Sequence, residues 1–579
     1  MTSSERKSTI VKRKFFEYLV PTVLSCIAIS LNEFVDSIIV SHLLGNEAMG
    51  FVNMALPVML LFAMVYTSIG VGGSIIFAEC SGKQETDKAK KVFSVTIAVS
   101  VVLSLLFLVI GLTCTEQLAH MFKVPEDAYE VFVPYLRSLF IAGVFIIPLQ
   151  AVIEFSPALG APRLGSAINI VANVVNLVMD YVFIRFMGMN IEGAAAATLT
   201  GYVVGLLVLI VALLMHKMPF PFTMPTPSDF KSVPSIIMRG LPPSLTQLGY
   251  CIKMFYCNSL AMHVGGFEAV RIFALCIQTI SIVSIAIGGI VGAMVPIAAS
   301  LYGQRDFQGL KLLLRTVCIV QLIANVVLVA VFEVYPQGIM KLYNGSTLPY
   351  EDTVNALRIF SLLFIFRGFS VVIMYYYQVV QRKVYANIIS LIDGFVGIIP
   401  VSLVMVQMLG IKGLWIAYPL VSLLLDVGIM AANVIISIRS KGRYSNLFLI
   451  EEESKDIPVY DVTFTAQDEQ IAETSGDLEL FCREQDLSQE LSMFAGIVSE
   501  EVSVMTKNNA DKRDTDKIDM LVKVYPDYLL LDFRSIGKPF DVSSEVSKGS
   551  NLDVLRKLSY SADFSYVMGM NLTRIKLLR

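Results

Sequence analysis

The chain has few charged residues and few of the side chains on which soluble sites are built. Only 16% of its 579 residues are Asp, Glu, Lys or Arg, whereas 55% are hydrophobic, and it contains four histidines and one tryptophan. Soluble globular domains carry about 25% charged residues. The composition therefore excludes an ordinary soluble protein of this length and indicates a membrane protein.

Two further absences narrow the class. The eight cysteines are scattered without metal-ligand spacing and mostly lie in apolar stretches, so we expect packing residues rather than a disulfide framework or a metal centre. No cleavable signal peptide is expected either. Lys12, Arg13 and Lys14 lead into an apolar stretch that is too long for one and lacks a small-residue cleavage site.

What the chain does have is a set of six long apolar stretches that occurs twice. Pro21, Gly82 and Arg137 in the first copy are matched by Pro242, Gly303 and Arg358 about 220 residues later. We predict an all-α membrane protein in which a six-helix lobe is duplicated (residues 1–220 and 221–444), because twenty apolar residues cross a bilayer as a helix and transporters are commonly built from such repeats. The predicted spans lie near 15–43, 50–80, 90–113, 130–158, 163–187, 192–215, 234–262, 268–300, 310–334, 353–380, 384–409 and 413–438.

The basic residues predict the orientation. With the N-terminus in the cytosol, most Lys and Arg residues between the spans or near their ends lie inside, including Lys83, Arg239 and Arg305, whereas Lys123 and Lys341 are among the few outside. Cytosolic loops carry this excess of basic residues. We therefore predict a multi-pass cell-membrane protein with both termini in the cytosol.

Polar residues within the first lobe point to an ion site. Asp36 lies in the first span, and the fifth span carries Asn169, Asn173, Asn176 and Asp180, which share one helix face. The sixth span carries Thr198 after a run of small residues that permits close helix contact. A carboxylate in mid-bilayer costs roughly 2.5–3.5 kcal/mol on insertion scales, so each one is a candidate functional residue.

These segments resemble the multidrug and toxic compound extrusion (MATE) family of cation-coupled antiporters, over about residues 10–440. The resemblance is carried by Pro21 to Gly45, Gly160-Ala161-Pro162-Arg163, Asn176 to Tyr181 and Gly193-Ala194-Ala195. It implies a cation-coupling site in the first lobe, formed by Asp36, Asn176, Asp180 and Thr198.

The chemistry of these four residues agrees with that role. Two carboxylates that share a pocket shielded from water cannot both stay ionised comfortably, so one should exchange a proton. Together with the Asn and Thr oxygens they would equally suit sodium. The alternative is a static hydrogen-bonded cluster that braces three helices.

The second lobe lacks this set, because Asp36, Asn176, Asp180 and Thr198 are replaced there by Cys257, Val396, Pro400 and Tyr418. Its buried charges are Lys253, Arg367 and Asp393, and Arg367 and Asp393 lie on successive spans where they would neutralise each other. The alternative is that Lys253, Arg367 and Glu154 face a central substrate cavity, with Tyr375 adding aromatic surface.

After Arg443 the composition becomes acidic and polar. We predict a linker over residues 445–487 with one strand at Val459–Thr465, followed by a small cytosolic α/β domain over 488–579. In that domain Ser488–Lys507 and Leu552–Leu558 read as helices, Lys517–Val524 and Tyr528–Phe533 as strands, and Phe564–Leu577 as a hairpin. Deletion after about residue 445 is expected to leave twelve spans intact.

The last ninety residues resemble the histidine-kinase-type ATP-binding fold, especially the anti-sigma-factor kinases. The resemblance rests on Ser499-Glu500-Glu501, Gly537 to Asp541 and Gly549 to Leu558. It departs from that pattern where Met505 replaces the magnesium-binding Asn, Ser535 the adenine-contacting Asp, and Asn551 a glycine of the phosphate loop. We therefore expect a degenerate regulatory or interaction module that does not bind ATP and has a cytosolic protein partner.

The sequence as a whole predicts a transporter rather than an enzyme. Its expected partners are the lipid bilayer and small amphipathic, cationic drugs or metabolites, exchanged for H⁺ or Na⁺, with no cofactor, no metal and no nucleic acid. Two alternatives remain open. One is a flippase for lipid-linked oligosaccharides, which shares the duplicated fold; the other is a membrane-tethered signalling kinase.

Overall fold

The architecture is a two-lobed helical bundle with a small α/β tail. The computed structural model describes residues 9–44, 46–121, 129–215, 221–342, 349–440, 443–445, 448–451, 457–509, 517–541 and 559–579. The first lobe comprises α1 (Thr9–Leu44), α2 (Asn46–Gly82), α3 (Thr86–Thr113), α4 (Thr115–Met121), α5 (Tyr129–Phe155), α6 (Pro162–Tyr181) with a π-helical turn (Val182–Phe186), and α7 (Ile191–Leu214).

The second lobe repeats this order after a short 3₁₀ turn (Asp229–Ser232). It comprises α8 (Val233–Gly303), α9 (Phe307–Val334), α10 (Pro336–Leu342), α11 (Tyr350–Ser361), α12 (Leu363–Val379), α13 (Lys383–Leu391), a π-helical turn (Ile392–Val396), α14 (Ile398–Leu409) and α15 (Ile411–Arg439). Helices α11 and α12 together form one membrane span, as do α13 and α14 with the π-helical turn between them.

Helix α8 contains two spans. At about 1.5 Å per residue a 71-residue helix would be far longer than the ~30 Å hydrocarbon layer. Gly266 divides it, since its φ of 66° and ψ of −163° are not helical and are readily adopted only by glycine. The described residues contain eleven helical segments able to cross a membrane, and counting α8 twice gives the twelve predicted spans.

The lobes meet where α2 of the first lobe packs on α8 of the second. The backbones approach so closely that a Cβ on Gly82 would lie 2.2 Å from the carbonyl oxygen of Ser300, and a Cβ on Gly303 would lie 2.2 Å from that of Glu79. Both contacts lie at the end of the bundle that carries the α2–α3 and α8–α9 connections. We call this the tail end, because the tail docks there.

The tail forms a five-stranded antiparallel sheet covered on one face by two helices. Its elements are β1 (Tyr444–Ser445), β2 (Ile450–Glu451), β3 (Val459–Thr465), α16 (Asp468–Glu484), α17 (Gln489–Asn509), β4 (Lys517–Val524), β5 (Tyr528–Ile536), β6 (Ser559–Val567) and β7 (Met570–Leu578). The strand order is β3-β4-β5-β7-β6, and β1 and β2 form a separate pair. Because side chains alternate along a strand, Met520, Val522 and Leu531 face the two helices and the opposite face is left for the bundle.

The prediction of a linker over 445–487 is wrong for most of that segment. The strand predicted at Val459–Thr465 is present as β3 and pairs with β4 along its whole length. The helix α16 was not predicted, and it buries Ile471, Leu478 and Cys482 in the tail core. The apolar residues of this helix do recur at helical spacing. They are separated by many charged residues, and the acidic composition of the segment favoured a linker instead. The predicted helix at 552–558 lies outside the described residues.

The tail also packs on the bundle, contrary to the expectation that it makes no contribution there. Ile536 and Leu572 of the sheet, with Val567, Met568 and Met570 around the β6–β7 turn, belong to the same apolar cluster as the first turns of α1. The expectation treated the polar segment after Arg443 as a spacer, whereas the chain folds back on itself at the tail end.

Candidate cation and substrate sites

The polar stripe of α6 faces α1 inside the first lobe. Asn169, Asn176 and Asp180 are 2%, 7% and 0% exposed, respectively. The carboxyl groups of Asp180 and the half-buried Asp36 lie within hydrogen-bonding reach of each other. Neither oxygen of Asp180 accepts a hydrogen bond from a described residue, so no cationic side chain among them is hydrogen-bonded to this carboxyl group.

Thr198 of α7 completes the predicted set. The Asn176 side chain donates to the Thr198 hydroxyl (3.3 Å), and that hydroxyl donates to the carbonyl of Ala194 (3.0 Å). The helices come together because Gly201 leaves no side chain between them; a Cβ there would lie 2.5 Å from the carbonyl oxygen of Ala172. The structure therefore brings all four sequence-predicted residues into one region of the lobe.

The sequence analysis missed Tyr135 of α5. It is 5% exposed and lies close enough to Asp36 and Asp180 to interact electrostatically with both. A lone tyrosine in an apolar span carries no periodic signal, so only its proximity to both carboxyl groups in the folded lobe identifies it.

This arrangement suits one small monovalent cation. Two carboxyl groups, an amide and a hydroxyl offer oxygen ligands for sodium, and the facing carboxyl groups equally provide a place for one shared proton. Among the described residues no group of three or more His, Cys, Asp and Glu side chains could hold a metal ion.

A separate cavity of about 470 Å³ lies between the lobes. Glu154 of α5 lines it from the first lobe, and Arg367 and Tyr375 of α12 line it from the second. The Glu154 carboxylate has no hydrogen bond or ion pair with any described residue, whereas an Arg367 nitrogen lies 3.9 Å from a carboxylate oxygen of Asp393. Three of the four predicted cavity residues thus line one space.

Lys253, the fourth, does not line that cavity. Its ammonium group donates to the carbonyl oxygen of Asp393 (2.6 Å) and lies 5.7 Å from the centre of the Tyr418 ring. The predicted pairing of Arg367 with Asp393 is present, and Lys253 joins it.

Asp426 of α15, which the sequence analysis missed, lies beside Asp393 and is 6% exposed. A carboxylate inside an apolar span was the signal that could have identified it.

A buried ion pair joins the two lobes near the tail end. Glu79 of α2 accepts from Arg239 of α8 (2.6 Å), and both side chains are buried. Arg239 also donates to the carbonyl oxygens of Gln378 and Val379 (3.1 Å each), and Gln381 donates to Glu79 (2.8 Å). The sequence identifies Arg239 only as a basic residue near the cytosolic end of a predicted span.

The comparisons with known proteins reproduce the division into two copies. The MatE family model matches residues 21–182 and 242–403, which together make up more than half of the chain. The chain belongs to the MatE family. It is therefore a multi-pass membrane transporter rather than an enzyme.

Relatives within this family are matched by about three quarters of this chain. The probable multidrug resistance protein YoeA of Bacillus subtilis is 25% identical over 443 residues, which cover 74% of this MatE chain and 95% of YoeA. The multidrug export protein MepA of Staphylococcus saprophyticus is 23% identical over 70% of this chain and 90% of its own. Nearly the whole of each relative is thus matched by about three quarters of this chain.

Solved structures agree on the fold. An outward-facing multidrug resistance MATE transporter superposes with a TM-score of 0.68 at 23% identity, covering 74% of this chain and 97% of the other. A transporter of the same superfamily from Pyrococcus furiosus, described as having a binding pocket of reverse polarity, superposes equally well at 22% identity with the same coverage.

Proposed function

We propose that this MatE protein exports amphipathic, cationic drugs or metabolites in exchange for H⁺ or Na⁺. The observation that carries the proposal is the pair of facing carboxyl groups, Asp36 and Asp180, inside the first lobe. The export of drugs is supported by the names of the relatives, which are multidrug resistance and export proteins.

The polar stripe of α6 supports coupling, because it leads from Asp180 towards Asn169 and Ser25, which line the central cavity. The Asn173 side chain donates to the Asn169 side chain (3.0 Å), and Asn169 donates to the hydroxyl of Ser25 (2.8 Å), a residue of α1 that lines the cavity. When a cation neutralises Asp36 and Asp180, their repulsion is lost and α1 can shift against α6. That shift reaches the cavity through Ser25.

Glu154 is the counter-charge for the substrate in this mechanism. It is a cavity-lining carboxylate with no partner among the described residues, so a cationic group of the substrate would satisfy it. The size of the cavity, about 470 Å³, falls in the range of ligand pockets. Tyr375 adds aromatic surface on the opposite wall, which suits the apolar part of an amphipathic molecule.

The tail end is the cytosolic end in this proposal. The basic residues Lys83, Arg305 and Arg382 lie on connections at that end, and cytosolic connections carry such residues. The closed contact between Glu79 and Arg239 then shuts the cavity from the cytosol, and both termini lie inside the cell.

Reconstitution tests the main proposal. Purified protein in liposomes is given a cationic dye under a proton gradient alone and under a sodium gradient alone, and efflux is measured for wild type and Asp36→Asn. We expect one gradient to drive efflux in wild type and neither to do so in the variant. Equal gradient-driven efflux in both proteins would contradict coupling at this site.

We further propose that the tail neither binds ATP with appreciable affinity nor hydrolyses it. Met505 of α17 packs against the tail core and offers a thioether, which is a poor ligand for magnesium. Ser535 is buried in β5 and lacks the charge of the Asp expected from the resemblance. Calorimetry on the full-length protein with ATP and magnesium is the test, because a fragment starting at 488 would lack β3 and α16; micromolar binding would refute the proposal.

A further inference from the structure

We propose that the tail is a built-in brake: its sheet docks across the seam between the two lobes and holds the tail end closed. The docking surface consists of the bundle-facing side of β4, β5 and β7 together with the β6–β7 turn. This inference concerns the part of the chain after Arg443, and it does not depend on which ion or substrate is transported.

The contact with the second lobe is made at the α8–α9 connection. Arg534 of β5 forms an ion pair with Asp306, and the two side chains are 3% and 1% exposed. On the neighbouring strand, Lys523 of β4 donates to the carbonyl oxygen of Arg305 (2.7 Å) and is itself 1% exposed. Two basic side chains are thus buried against a single connection of the second lobe.

The contact with the first lobe is made by β7 and the β6–β7 turn. Gln84, on the α2–α3 connection, donates to the carbonyl oxygen of Leu572 (3.4 Å). At the turn, Met568 and Gly569 lie against Gly160, where a Cβ would be only 3.1 Å from either residue. Lys14 near the start of α1 also lies beside Gly569, so the tail contacts the first lobe at two connections and at one helix.

The two gripped connections are equivalent positions of the repeat. Gln84 and Arg305 lie one repeat apart, and both adopt a left-handed backbone with φ of 63° and 57°. The tail binds one through β7 and the other through β4 and β5, which are held at fixed spacing by the sheet. A rigid sheet can bind both connections at once only when they are separated by one particular distance.

That distance belongs to the closed tail end. The same two connections follow directly after Gly82 and Gly303, whose close contacts join the lobes, and Lys83 beside Gln84 pairs with Glu79 of the closing ion pair (2.6 Å). Opening the tail end would separate the two connections. Either the contact of β7 with the α2–α3 connection or the contacts of β4 and β5 with the α8–α9 connection would then have to break. A contact made in only one state stabilises that state, and a buried ion pair is costly to break.

The test uses full-length protein with neutral substitutions at the interface. Arg534→Gln removes the positive charge that the tail buries against Asp306. Asp306→Asn removes its partner but keeps an acceptor for the N–H of Gly309, which Asp306 caps at the start of α9 (2.8 Å). Hydrogen–deuterium exchange is followed at the α8–α9 connection, at β4–β5 and around Glu79 and Arg239, and efflux is followed in liposomes.

We expect each single variant to exchange on the order of tenfold faster at the interface and around the closing ion pair, with faster efflux. The double variant should lie closer to wild type than the sum of the two single changes, because no buried charge is left unpaired. Arg483→Gln is the matched control, since this tail arginine pairs with Glu479 on the exposed face of α16; it should behave as wild type.

The outcomes separate this inference from the proposed transport function. Faster exchange around Glu79 and Arg239 supports the brake even in a protein whose efflux is undetectable. Unchanged exchange in both single variants would show that the docking is absent in the membrane. Faster exchange at β4–β5 without any change around Glu79 and Arg239, or with slower efflux, would show that the docked tail does not restrain the lobes.

Discussion

The two lobes share one chain path but use their buried charges differently. In the first lobe, Asp36 and Asp180 face each other with no cationic side chain among their described partners. In the second, Lys253, Arg367 and Asp393 form a cluster that satisfies its own charges. Like charges held together need an ion from outside, whereas opposite charges held together do not.

This difference shows what a duplicated scaffold preserves. The helices, their close glycine contacts and the left-handed connections recur in both copies, because packing constrains them. The side chains at the equivalent polar positions do not recur: Asp36 becomes Cys257, and Asn32 becomes Lys253. The duplication therefore supplies two moving bodies, and the proposed ion binding is confined to one.

The largest expected effect comes from Asp36→Asn. The amide keeps the volume of the side chain but cannot exchange a proton, so we expect gradient-driven efflux to be abolished while the protein still inserts and folds. Asp426→Asn is the matched control in the second lobe, a buried carboxylate that should leave coupling intact. If efflux is lost in both variants, or in neither, the contrast between the lobes is wrong.

The next effect is on stability and tests the second lobe. Lys253→Met removes the ammonium group that donates to the carbonyl oxygen of Asp393 and leaves Arg367 as the cation beside Asp393 and Asp426. Losing a hydrogen bond from a charged donor costs about 1.5–3 kcal/mol, so thermal unfolding in detergent should occur at a lower temperature. Adding Asp426→Asn should recover part of the loss; an unchanged unfolding temperature in Lys253→Met would argue against a structural cluster.

Asp180→Asn should impair coupling less than Asp36→Asn. A single remaining carboxylate can still bind a cation, and we expect roughly a tenfold loss in efflux rate, equivalent to about 1.4 kcal/mol. The rate is measured across a range of imposed gradients. A defect more severe than that of Asp36→Asn would reverse the assigned roles of the two residues.

The smallest effect is expected from Thr198→Val. The hydroxyl receives the hydrogen bond of Asn176, and losing one such bond changes affinity by about 0.5–1.5 kcal/mol. The half-saturating ion concentration should therefore shift by a few-fold at most, with the maximal rate unchanged. Thr200→Val serves as the control. Thr200 lies two residues further along α7, and its hydroxyl donates only to the carbonyl oxygen of Ala196 in the same helix.

Sequence alone predicts the parts of this molecule that have a period. The apolar spans and the four-residue spacing of Asn176 and Asp180 are periodic, and the structure places them as expected. Contacts between distant elements carry no period, and Tyr135, the Glu79–Arg239 pair and the Arg534–Asp306 pair were all missed for that reason. Helix α16 was missed although its apolar residues do recur at helical spacing, because its acidic composition was given more weight.

The close contacts at the tail end also bear on the origin of the chain. Gly82 rests on Ser300, and Gly303 rests on Glu79; Ser300 and Glu79 occupy equivalent positions one repeat apart, as the two glycines do. Each copy therefore presents its glycine to the same position of the other copy. Two identical subunits related by a two-fold axis make contacts of this reciprocal kind. The seam retains the geometry of a homodimer, as expected if a single six-helix protein paired with itself before its gene was duplicated and fused.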